Sequence, residues 1–304
     1  MRLIFNLFNV GLGNNGGSRT ILLCAETLAS LGHDVVIFSN IQSRYTWHNP
    51  VGPVFVYGEK IPKGDVIVAT GYKSVKSTVN SNIQKKYYYI RGYENWQAND
   101  SDLLSSYKSL NCIVNSSWLY DFLKSKNIHS EIIYPGLDFD CFLNKNKKRD
   151  NIIGALYSKK HKTKRYDDVI KIMKNTSYKV VVLNKDISDV DSNRLNLWYN
   201  KIKIWFAPTE SEGLHNPPME ACLSGCVLVS TDHPRSGMSD YSLHNKTSLI
   251  YPARNISKAS ECIDSLIKDD NLIGRLNNNM CDLLRSKIGD RKANMAKFAD
   301  YIRG

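Results

Sequence analysis

Short apolar and β-branched runs alternate with amphipathic segments along the first half of the chain. Residues 3–8, 35–38, 54–57, 66–69, 87–91, 112–115 and 132–134 read as strands, and 20–31 reads as a helix stopped by Gly32. The pattern disappears over 144–150, Asn-Lys-Asn-Lys-Lys-Arg-Asp, and then restarts. Residues 152–157, 179–183, 202–206 and 227–230 read as strands, and 166–174 and 217–224 as helices. The stretch between 183 and 202 is polar, 257–284 is helical, and 293–302 is a further amphipathic helix. Strand and helix in alternation imply parallel sheets covered on both faces. The expected fold class is therefore α/β, with two Rossmann-like parallel-sheet domains facing across a cleft. The expected boundaries are 1–143 for the first domain, 144–150 for a linker and 151–286 for the second domain, with 287–304 as a C-terminal helix returning to the first. In such sheets strand ends and helix N-termini line the ligand site.

Composition narrows the class without naming a chemistry. No window approaches the ~18 apolar residues of a membrane span, and the first apolar run enters a glycine loop with no small-residue cleavage site, so it reads as a strand and not as a signal peptide. The seven cysteines are scattered and lack any C-x-x-C pair, which argues against a disulfide framework or a structural zinc site and suits the cytoplasm. The formal net charge of +12 is concentrated, since residues 144–165 hold nine cationic side chains against one acidic one. Such a run is either a solvated linker or one face of a site for a polyanion. Without interleaved aromatics it does not suit nucleic acid.

The first glycine cluster, Gly11-x-Gly13-x-x-Gly16, invites a dinucleotide reading. That reading needs a carboxylate at the end of the second strand to hold the ribose. The strand at 35–38 instead ends in Ser39-Asn40-Ile41-Gln42, and Asp34 stands at its other end, which disfavours a nicotinamide oxidoreductase. Gly11 and Gly13 fit a turn, whereas Gly16 and Gly17, opening a helix, can bring backbone N–H groups close to an anion.

The densest chemistry lies in 207–230, APTESEGLHNPPMEACLSGCVLVS. A strand ends near Ala207, Pro217-Pro218 suits a first helical turn, and Gly225 suits the helix end. Glu212 then lies in the loop and Glu220 in the helix, eight positions on. Carboxylates are poor partners for phosphate and good acceptors for sugar hydroxyls. Combined with a separate cationic loop, they suit a ligand hydroxylated at both ends and anionic between, which describes a nucleotide-sugar.

These residues resemble a family. The block E-G-x-x-x-P-P-x-E-A from Glu212, followed by Ser-Gly-Cys-Val-Leu-Val-Ser-Thr, is similar to the signature of family 4 (group 1) of the retaining nucleotide-sugar glycosyltransferases, which have the GT-B fold. Gly16-Gly17-Ser18-Arg19, Leu31-Gly-His-Asp-Val35, Val114-Asn-Ser-Ser117, Ile133-Tyr-Pro-Gly-Leu-Asp138 with Phe142, and Gly154-Ala-Leu156 agree in order, so that the resemblance spans almost the whole chain.

The resemblance implies a donor held by the second domain. Glu220 would take the ribose hydroxyls and Glu212 the transferred sugar, while Gly213, Leu214, His215 and Asn216 would orient sugar and diphosphate, with Gly16, Gly17 and Ser158 nearby. His215 stands where the family has a small residue, and either touches the sugar or packs. An Arg and a Lys of the family hold the diphosphate. Here Ala155 replaces the Arg, and Lys160 or Lys164 matches the Lys, depending on whether one counts from Gly154 or aligns the following helix. Thr70, Gly71, Arg91 and Glu94 fall on the acceptor side, where the family's histidine is absent and an ordinary Arg91–Glu94 surface ion pair is the alternative. The implied activity is metal-independent hexosyl transfer from a UDP-sugar or GDP-sugar, without a cofactor, to a glycan or lipid-linked acceptor, with peripheral contact at the inner face of a membrane as a further partner. The departures at Ala155 and at the histidine leave open a nucleotide-sugar binding protein without turnover. Two Asp-x-Asp pairs, at Asp138 and Asp189, leave open a metal-dependent transferase of another fold.

Overall fold

Strand β1 (Arg2–Asn6) buries Leu3, Ile4 and Phe5 completely because it runs through the middle of a parallel sheet with helices on its faces. The structure is a computed structural model describing residues 1–145, 148–158, 162–184 and 190–304. It divides into two units, Met1–Gly136 with Asp290–Gly304, and Leu137–Gly289.

In the first unit β1 is followed by α1 (Gly16–Ser30), β2 (Asp34–Ser39), β3 (Val54–Tyr57), β4 (Val66–Ala69), α2 (Tyr72–Val79), β5 (Lys85–Ile90), α3 (Asp100–Lys108), β6 (Asn111–Val114), α4 (Ser117–Ser125) and β7 (Ser130–Ile132). The seven strands are parallel in the order β3-β2-β1-β4-β5-β6-β7. Asn6 lies beside Ala69, and Ala69 beside Tyr88, so the loops after β1, β4 and β5 leave one end of the sheet. Asp34 opens β2 at the opposite end and pairs with Arg2 at 3.5 Å, far from the glycine loop. The helix Arg291–Arg303 returns to this unit and places Met295, Phe298 and Ile302 in the core with Phe5 and Ile21.

The second unit contains β8 (Ile152–Tyr157), α5 (Tyr166–Asn175), β9 (Lys179–Asn184), α6 (Ser192–Tyr199), β10 (Ile204–Ala207), β11 (Ser211–Glu212), α7 (Asn216–Leu223), β12 (Val227–Thr231), β13 (Arg235–Ser236), β14 (Ser248–Tyr251), α8 (Ile256–Lys268) and α9 (Asp270–Leu283), and α10 is the returning helix already described. Five parallel strands run β14-β12-β10-β8-β9, and β11 and β13 form a separate short parallel pair. Gly154 is required by packing, since a Cβ there would lie 2.4 Å from Ile202 Cδ1.

Three sequence expectations need revision. The segment 144–150 reads as a linker by polarity, yet the change of unit falls earlier, between Gly136 and Leu137. Arg149 is held within the second unit, donating to the carbonyls of Tyr199 (2.9 Å), Ile202 (2.7 Å) and Ser224, and to Asn144 Oδ1 (2.8 Å). The polar stretch before residue 202 holds α6, capped by Asp191, whose side chain accepts from Arg194 N. The helical region 257–284 is two helices, divided where Asp269 leaves helical geometry and caps α9.

Candidate functional site

In the second unit the chain leaving β10 forms β11, which carries Glu212 and pairs with β13. Glu210 N donates to Thr163 O at 2.9 Å, tying this segment to the 3-10 turn Lys162–Lys164. Lys164 Nζ then donates to the Glu212 carboxylate, and the two side chains are about one-fifth exposed, at 19% and 21%. Behind them Arg165, in the left-handed region at φ +52°, makes a bidentate pair with the buried Asp168 at 3.1 Å for both contacts. Arg165 also approaches Glu210 at 3.5 Å, and Arg254 Nε donates to Glu210 at 2.6 Å. The Arg254 hydrogen bond outweighs burial and holds the Glu210 carboxyl below its ordinary range.

The loop Gly213–His215 leads into α7. Leu214 is buried, and Gly213 is pressed by Gly237, where a Cβ would lie 2.0 Å from Gly213 O. His215 caps α7 with φ +62°, is 6% exposed, and offers its carbonyl to Tyr241 Oη at 2.9 Å. Burial first, and the charge of Lys164 second, push its imidazole down to about 3, with Glu212 acting in the opposite direction. Asn216 begins the helix, and Pro217 and Pro218 remove two N–H groups, which leaves the backbone amides of 213–216 as the donors at this helix start. Glu220 is 5% exposed and faces Tyr199 Oη of α6, which donates at 3.5 Å. Ser158, after β8, is buried.

Of the sequence-expected donor residues, the structure brings Lys164, Glu212 and His215 together and gives Glu220 a different partner on α6. Lys160 lies outside the described residues. Ala155 is fully buried in the core of the unit and supplies no cation of its own. Among the described residues no three His, Cys, Asp or Glu side chains cluster as metal ligands.

In the first unit Gly16, Gly17, Thr70, Gly71, Arg91 and Glu94 meet at the sheet end where β1, β4 and β5 finish. Arg91 donates to the carbonyls of Gly17 and, at 2.5 Å, Thr70. Thr70 Oγ1 donates to Asn6 O at 3.0 Å. Glu94 accepts from Tyr72 N, at the start of α2, at 2.5 Å and from Tyr88 Oη at 3.1 Å, and burial pushes its carboxyl upward. In place of an ordinary Arg91–Glu94 surface pair, the cation ties the first turn of α1 to the loop after β4 and the acid caps α2.

Reading the sequence missed Tyr199, Gly237, Met238 and Tyr241. For Tyr199 a signal existed, since Leu195, Trp198 and Tyr199 follow Asp191 at helical spacing. The supports at 237–241 carry no period, because they lie on a 3-10 turn and its exit.

No protein-family model matches the chain, and no curated protein matches it in sequence. Solved structures are similar over its whole length. Sucrose-phosphate synthase from Thermosynechococcus elongatus matches with a TM-score of 0.77 at 13% identity, covering 100% of this chain and 98% of that one. Anabaena HepE, solved with UDP and glucose, matches at 0.78 and 11%, covering 100% and 99%. WaaG, a glycosyltransferase involved in lipopolysaccharide biosynthesis, matches at 0.69 and 13%, covering 100% of both. At such identities the likeness is one of fold, and the fold is GT-B, with two parallel-sheet α/β units.

Proposed function

We propose that the chain is a glycosyltransferase whose second unit binds a nucleotide-diphosphate sugar and transfers the sugar, with retention of configuration and without a metal, to a glycan or lipid-linked acceptor. The observation that carries the reading is the Lys164–Glu212 pair beside buried His215, with the buried carboxylate of Glu220 eight positions beyond Glu212. Glu220 accepts from the ribose hydroxyls and Glu212 from the sugar, the two kinds of donor that a carboxylate prefers. Lys164 and the amides of 213–216 face the diphosphate. Likeness in fold to WaaG and to a sucrose-phosphate synthase supports transferase chemistry, and HepE has been solved with UDP-glucose.

In this mechanism the diphosphate gains charge as its bond to the sugar breaks, and Lys164 with the loop amides stabilises it. Removing one such donor typically costs ~3–4 kcal/mol at the transition state. The acceptor attacks on the face the diphosphate vacates, with no side chain assigned as base. The buried Ala155, in place of a cation, favours as second reading a protein that binds the donor without turnover. Melting with UDP-glucose and GDP-mannose, followed by an assay for nucleotide release in EDTA, separates the two. Stabilisation with EDTA-resistant release supports the transferase, stabilisation without release or transfer supports the binder, and no stabilisation contradicts both.

A further inference from the structure

The backbone at His215 is left-handed, a conformation that favours glycine or asparagine, yet the position carries an imidazole that is 94% buried by its 6% exposure. Nδ1 of that ring lies 3.4 Å from Met238 Sδ. A thioether can only accept, so Nδ1 carries the proton and Nε2 presents its lone pair. Nε2 is buried and has no hydrogen-bond partner, whereas buried polar atoms ordinarily have one. The ring is also close enough to Lys164 and Glu212 for both charges to act on it. A lone pair at this point repels a phosphate or carboxylate oxygen and attracts a hydroxyl.

From this geometry we infer that His215 is a specificity-determining residue, its Nε2 accepting a hydrogen bond from one hydroxyl of the transferred sugar. The inference rests on the donor assignment above and adds to it the atom, the tautomer and the direction of the bond. Packing against Met238 satisfies one ring nitrogen and leaves the other to a ligand hydroxyl. Depression of the imidazole to about 3 keeps the lone pair available at any physiological pH.

The test uses His215→Gly and His215→Asn, both of which suit the left-handed backbone, in calorimetric titrations with UDP, UDP-glucose, GDP and GDP-mannose. UDP-glucose and GDP-mannose analogues with one sugar hydroxyl replaced by fluorine, which cannot donate, complete the set. In His215→Gly the affinity for the free nucleotide is expected to stay within about twofold, while that for the sugar nucleotide falls roughly tenfold or more. One fluoro analogue is expected to bind the wild type more weakly by a similar factor and to bind the glycine variant no more weakly than the parent sugar nucleotide does, so that the two losses do not add. His215→Asn, which keeps an acceptor, is expected to regain part of the loss. Undiminished sugar-nucleotide affinity in His215→Gly overturns the inference, as do losses that add at every hydroxyl or equal losses for nucleotide and sugar nucleotide. If the wild type binds neither sugar nucleotide, the donor assignment falls, and this inference with it.

Discussion

Glu212 and Lys164 each retain about one-fifth of their exposure, so each offsets part of the cost of withdrawing the other from water while leaving room for a ligand between charge and solvent. His215 beside them bears on stability as well as on recognition. Its folded imidazole is pushed down to about 3, whereas in the unfolded chain it takes up a proton below about 6.5. Above pH ~6.5 both states are neutral and the contribution of this residue is fully present. As pH falls from there toward 3, the unfolded state gains a proton that the folded state refuses, and stability is lost. Urea unfolding at pH 7 and pH 5 is expected to show the wild type losing more stability than His215→Asn, by up to about 1.4 kcal/mol per pH unit below 6.5. Equal losses would mean that the imidazole is not held neutral. The helix that carries Glu220 was legible from Pro217, Pro218 and Gly225, whereas Glu212, expected in a loop, stands on the two-residue strand β11, which is too short to read. The orphaned nitrogen was not legible, since it depends on Met238, twenty-three residues away.

Elements matter here as supports. The 3-10 turn Gly237–Asp240 lies against the loop at 213–215, and Asp240, buried, is held by Lys287 at 3.0 Å from the π-helical turn Leu284–Ile288. Gly237→Ala would put a methyl 2.0 Å from Gly213 O, so the loop must move. A destabilisation of about 1–3 kcal/mol is expected, with loss of affinity for UDP-glucose that exceeds loss of affinity for UDP. Melting and calorimetry on the same sample check this, and a variant with wild-type affinity for both would show that the turn does not position the loop. Most strands were legible because buried parallel strands are continuous apolar runs, as at Val66–Ala69 and Ile152–Tyr157. Helix α6 gave only a faint signal, because Asn193, Arg194 and Asn196 interrupt the stripe of Leu195, Trp198 and Tyr199, and β11 and β13 are too short to show any period.

At the scale of the molecule the chain builds one unit, then a second, and returns its last helix to the first. Phe298 on α10 meets Phe5 at 6.2 Å and Tyr89 edge-on at 5.6 Å between ring centroids, and it is fully buried. Phe298→Ala is expected to cost about 3–5 kcal/mol in the first unit. Hydrogen exchange should register the loss in β1 and β5 and leave β10 and β12 protected; uniform loss in both units would contradict the division. The two-unit plan and the returning helix were legible from alternation and amphipathicity. The point where the chain changes unit was not, because Arg149, read as part of a polar linker, is bound to carbonyls of the second unit.

The central claim is that the carboxylates of Glu212 and Glu220 on the second unit grip the hydroxylated parts of an activated sugar. It is tested most directly by titrating UDP-glucose and GDP-mannose into the wild type and Glu220→Ala, with a melting curve to show that the variant is folded. The dissociation constant of the donor that binds the wild type is expected to rise by about tenfold or more, as the loss of a charge-assisted hydrogen bond requires. A folded Glu220→Ala protein that binds this donor as tightly as the wild type would contradict the account.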